Sequence, residues 1–204
     1  MHLAAWCSLI PVAAGIYFFK KLNTGRKRIL YFFVLAAYAD LSNAWMASNK
    51  IHNIWQENIY SLFEFSFFII VLKSWIKGST ALFLCIISSG LFYAIWLVSV
   101  ISVHGLGSSI TAADITKDVI IMSWSVYLVG TYSIYTEKIL YKNYKTWFAG
   151  TAFVYFSMDI MLDYLSGLIA KYSSVYKPSL WNVHSVFQII IYLSFAYVFY
   201  LKDE

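Results

Sequence analysis

Charge is what this chain has least of. Only 12% of its 204 residues are Asp, Glu, Lys or Arg, and the acidic residues number ten. So little charge excludes a soluble domain of this size, which would need far more polar surface. The two cysteines, Cys7 and Cys85, lie in apolar stretches without C-x-x-C or other metal-ligand spacing, and read as small buried apolar residues. No basic segment precedes the first apolar run, so the N-terminus does not read as a cleavable signal. Gly105 and Gly107 form a lone G-x-G with no strand before it, which is no phosphate cradle.

What is present is hydrophobicity. The chain is 61% hydrophobic and 20% aromatic, with a mean hydropathy of +0.67. Apolar stretches of about twenty residues, the length of a bilayer-spanning helix, fall near 3–19, 29–48, 55–75, 81–103, 119–135, 147–170 and 180–201. The expected fold is all-α: one seven-transmembrane-helix bundle over residues 1–204, with the lipid bilayer as its solvent. Trp6, Trp45, Trp55, Trp75, Trp147 and Trp181 recur at span ends as an interfacial belt. Pro11 is expected to kink the first helix and Pro178 to start the last.

The basic residues orient the bundle. With the first loop inside, eleven of the fifteen basic residues fall on the inner side. Lys50, Lys117, Lys171 and Lys177 are assigned to the outer loops. The positive-inside rule gives N-out and C-in. The net charge of +5 follows from this bias. The basic residues are scattered among loops without a binding motif, so nucleic acid is excluded as a partner.

Four carboxylates, Asp40, Glu64, Asp159 and Asp163, lie within the apolar stretches, and the one basic residue those stretches include, Lys73, sits at an inner span end away from them. A charge at mid-bilayer costs about 2.5–3.5 kcal/mol on insertion scales, so these residues point to function. Helical spacing gathers partners around them. Ala36, Asp40, Asn43 and Ala47 share one face, as do Glu57, Ser61 and Glu64, then Asp159, Asp163 and Ser166, then His184, Gln188 and Tyr192. Ser123, Tyr127 and Gly130 form a milder inward face on the fifth span, and the fourth, with Ser88, Ser89 and Gly90, reads as peripheral.

At 1.5 Å per residue, Asp40 stands roughly 16 Å, and Asp159 about 18 Å, above the inner ends of their spans. Glu64 stands about 14 Å below the outer end of its own. The expectation is a polar pocket opening outward, formed by Asp40, Asn43, Glu57, Ser61, Glu64, Asp159, Asp163, His184 and Gln188. A shared proton, hydrogen bonds, or a bound cation, metal or cationic ligand would each accommodate the acids. Asn43, Ser61 and Gln188 also suit interhelical hydrogen bonding, worth about 0.6 kcal/mol each. Glu57 also suits snorkelling to the interface.

The reading that follows is a small-ligand or cation-binding sensory module, whose output would need a membrane or cytoplasmic partner protein because its loops are short. A proton- or cation-coupled transporter and a structural subunit of a membrane complex are alternatives. So is a metal-dependent intramembrane hydrolase, but His2, His52 and His104 lie at span ends or in loops, leaving His184 alone in a span. Retinal is not expected, because the last span has no lysine for a Schiff base. Residues 59–65, IYSLFEF, and 181–184, WNVH, with the span layout, give a chain that resembles uncharacterised bacterial seven-helix membrane proteins. The resemblance implies a cytoplasmic-membrane location and no particular activity.

Overall fold

The computed structural model describes residues 6–102, 105–107, 110–135, 142–172 and 177–201, leaving aside the side chains at 134, 135, 163, 166–172, 177–182 and 184. Among the described residues there are seven α-helices and no strand. They are α1 (Leu9–Phe18), α2 (Thr24–Ser48), α3 (Ile54–Lys73), α4 (Ser79–Ser102), α5 (Thr111–Tyr135), α6 (Tyr144–Tyr172) and α7 (Lys177–Tyr200), with a 3-10 turn at Phe19–Lys21. Two of them, α2 and α4, are long and apolar enough to cross a membrane by length and composition.

Local chemistry sets several helix ends. Helical hydrogen bonding is interrupted at Ser8, ahead of Pro11, whose ring has no N–H to give residue 7. The α2 cap is Asn23, whose Oδ1 accepts the Arg26 amide at 2.8 Å. Pro178 is the second residue of α7, within the first turn where its missing N–H costs nothing. At Gly105 the backbone turns through φ +128°, a conformation a side chain would disfavour.

Each helix packs on its neighbour in sequence, α7 returns to α1, and α3 also reaches α5. One half of the interior is aromatic. Phe68 of α3 meets Phe32, Phe148, Phe156 and Phe195 with ring centroids 4.9–6.4 Å apart, joining α2, α3, α6 and α7. Edge-to-face and offset contacts of this kind add to burial. Arg26 is buried at the same end and donates to the Leu201 carbonyl at the C-terminus of α7, where a cation complements the helix dipole. α1 approaches α2 at Gly15, where a Cβ would stand 2.4 Å from Leu30 Cδ1.

α4 is peripheral, as its poverty in polar groups suggested. Trp124 Nε1 donates to its Ser88 Oγ at 3.0 Å, while Phe83, Leu91, Val98 and Ile101 are each more than half exposed. The inward face expected on the fifth span is corrected. Ser123, Tyr127 and Gly130 are exposed, and the Ser123 hydroxyl bonds the Val119 carbonyl of its own helix, so it needs no partner elsewhere. The buried face of α5 instead carries Lys117, Ile121, Ser125 and Leu128.

Candidate functional site: a carboxylate cluster around one buried ammonium

The polar half of the interior is organised by a residue assigned to a loop. α5 begins at Thr111, so Lys117 lies inside a helix, 7% exposed. The expectation that no basic residue accompanies the buried acids is thereby corrected. Lys117 Nζ stands 2.6 Å from Glu64 Oε2 and 3.4 Å from Asp118 Oδ1. The Phe156 ring centroid lies 5.6 Å away, so a cation–π contact forms the floor between the polar and aromatic halves. Glu64, Asp118, Asp159 and Asp114 all act electrostatically on this one ammonium. Asp114, Lys117 and Asp118 share a helical face by their i, i+3, i+4 spacing.

The other candidate residues take distinct places. Ser61 donates to Asp114 Oδ1 at 2.8 Å, tying α3 to α5. Asp40 accepts a 2.5 Å hydrogen bond from the Tyr192 hydroxyl, which in turn accepts from Gln188 Nε2 at 3.2 Å. Ser8 also hydrogen-bonds Asp40, and Glu64 lies within its electrostatic reach. Glu57 is exposed at the rim, where its carboxylate accepts from Asn53 at 2.8 Å. Asn43 is half-buried, and its Oδ1 is shut from water with no hydrogen-bond donor. The side chains of Asp163 and His184 lie outside the described residues.

Ser61 and Glu64 of α3 thus join Asp114 and Lys117 of α5, while Asp40 of α2 joins Tyr192 and Gln188 of α7. Sequence reasoning missed Lys117, Asp114, Asp118 and Asn58. Asn58 is buried and donates to the Leu106 carbonyl at 2.7 Å, while its own carbonyl accepts from Trp96 Nε1 at 3.3 Å. It fastens the α4–α5 connection to α3, on the helix that carries Ser61 and Glu64.

Lys117 reaches two carboxylates, and its loss from either would leave a buried anion in need of a proton or another cation. Among the described residues, no three His, Cys, Asp or Glu side chains are grouped as metal ligands. A separate cavity of about 410 Å³ lies between α5, α6 and α7, lined in part by Val129, Gly150 and Ile190. Val129 is twelve residues beyond Lys117, about 18 Å along α5. No protein family, curated protein or solved structure matches the chain.

Proposed function

We propose that the protein is a seven-span integral membrane protein, N-out and C-in, whose carboxylate cluster binds a small cation or cationic ligand in the outer half of the bundle. The membrane reading is supported by the exposed apolar side chains of α4, from Phe83 to Ile101, since soluble monomers rarely expose contiguous apolar patches beyond a few hundred Å². The orientation rests on the bias of basic residues toward one set of loops. A bacterial cytoplasmic membrane is the compartment that the resemblance implies.

One observation carries the functional reading: the buried Lys117 ammonium stands between two buried carboxylates, 2.6 Å from Glu64 and 3.4 Å from Asp118. An interior with that surplus of acid favours protons or bound cations. The test is thermal unfolding of the detergent-purified chain against Na⁺, Ca²⁺ and alkylammonium ions. A guest at a hundred times its Kd stabilises by about 2.7 kcal/mol. At least one cation is expected to raise the midpoint saturably, and Asp159→Asn to abolish that rise. No response to any of them would overturn the proposal.

Coupled transport is a second reading, favoured by Lys117 standing between two acids at 2.6 and 3.4 Å. An arriving cation would release the lysine from one of them. Cation-dependent flux into proteoliposomes, abolished by Lys117→Met, separates this reading from binding alone.

A further inference from the structure

Lys117 is one cation set against two fully buried acids. Its ammonium stands 2.6 Å from Glu64 Oε2 and 3.4 Å from Asp118 Oδ1, and the two carboxylate side chains are 4% and 2% exposed. The shorter contact is a charge-assisted hydrogen bond. The longer one is not a hydrogen bond: Asp118 Oδ1 is shut from water and accepts from no donor among the described residues. The single positive charge is therefore engaged by Glu64, and Asp118 has no cation of its own.

The surroundings of Asp118 add none. Besides Lys117 and Glu64, the charged groups that face it are Asp114 of its own helix and Asp159 of α6, both acids. α4, which also packs on α5, contains no Asp, Glu, Lys, Arg or His from Ser79 to Ser102. An uncompensated carboxylate in the interior costs far more than its neutral acid, and such a group takes up a proton rather than keep its charge. Acids nearby act in the same sense, since each adds repulsion to a further negative charge. A hydrated metal ion or an alkylammonium finds no room at this atom, because Lys117 stands on one side of it and no surface is open to solvent. A proton needs no room.

We propose that Asp118 is a proton-binding site, holding the acid form at neutral pH while Glu64 keeps the ammonium. The proposal goes beyond the cation reading, since it concerns this carboxylate whichever larger guest the cluster takes. Uptake moves one proton from water to Asp118, and the trio of two carboxylates and one ammonium loses its surplus negative charge. Release restores that charge, so the acidity of the medium and any cation guest act on the same carboxylate.

Infrared difference spectroscopy of the purified full chain, in an ester-free detergent, tests it by comparing neutral with alkaline solution. The C=O stretch of a carboxylic acid stands apart from the bands of a carboxylate. The expected result is an acid band at neutral pH that alkali removes and that Asp118→Asn diminishes by one carboxyl group per chain. Where Asp118→Asn does not fold, Asp118→Glu retains the acid and shifts the frequency of the band. Absence of any acid band at neutral pH, or a band neither diminished by Asp118→Asn nor shifted by Asp118→Glu, overturns the proposal. Cation titration reports separately on the cation reading. Titrations without saturable heat sink that reading and leave the Asp118 band standing, whereas saturable binding beside a band that ignores position 118 sinks the proton site alone.

Discussion

Replacing Lys117 by methionine keeps the length and apolar stem of the side chain and removes only the ammonium. Glu64 and Asp118 then remain where they are, with side chains 4% and 2% exposed and the cation formerly 2.6 and 3.4 Å away gone. Deleting one partner of a buried ion pair costs about 3–5 kcal/mol, because the charge left behind has neither partner nor water. For a chain of this length each kcal/mol moves the melting midpoint by roughly 2–4 °C, so Tm should fall by roughly 6–20 °C. Glu64→Gln is milder, about 1–2 kcal/mol, since its amide oxygen still accepts from the ammonium and Asp118 remains as counter-ion. In the double variant no charge is orphaned at position 64. The combined loss should then fall short of the sum of the singles by about 1–3 kcal/mol. Thermal unfolding followed by far-UV circular dichroism in one detergent gives all three values. A Lys117→Met midpoint within roughly 2 °C of the parent, or strictly additive losses, would refute a stabilising role for the pair.

Asp40→Ala and Asp159→Ala are expected to abolish cation-dependent stabilisation while leaving membrane insertion intact, read by melting curves and by carbonate extraction; unchanged stabilisation in both would remove these acids from the site. Tyr192→Phe deletes the hydroxyl that donates to Asp40 at 2.5 Å and should cost about 1.5–3 kcal/mol, the worth of a hydrogen bond to a charged group; a loss below that range in a denaturation curve would mean that Asp40 does not depend on it. Gly15→Val forces a side chain into Leu30, whose Cδ1 would stand 2.4 Å from the new Cβ. Overpacking of that kind costs about 1–3 kcal/mol, and a variant as stable as the parent would show that α1 and α2 separate freely.

Length and apolar content made the seven helices legible, because a run of some twenty apolar residues has few other structures open to it. Their polar ends were harder to read. Residues 111–118, TAADITKD, are polar enough to read as loop, and Lys117 was counted as an outer positive charge on that ground. In the folded chain these residues form the first turns of α5, and their charges point inward because Glu64, Ser61 and Asp159 are there to meet them. Hydropathy averages over a window and cannot tell a solvated charge from one paired across helices. The i, i+3, i+4 spacing of Asp114, Lys117 and Asp118 was the available signal. The stripe holding Gln188 and Tyr192 was visible from periodicity alone, since both lie on one face of α7 and converge on Asp40. Arg26 shows the same limit as Lys117: it reads as a solvated inner-loop cation but is buried against the α7 terminus, a partner 175 residues away.

The most direct measurement is calorimetric titration of the purified full chain with the cation series, in the parent and in Asp159→Asn. Surplus acid around Lys117 predicts saturable binding of at least one cation to the parent and none of it to the variant. Titrations without saturable heat for every cation, or identical in the two proteins, would contradict it.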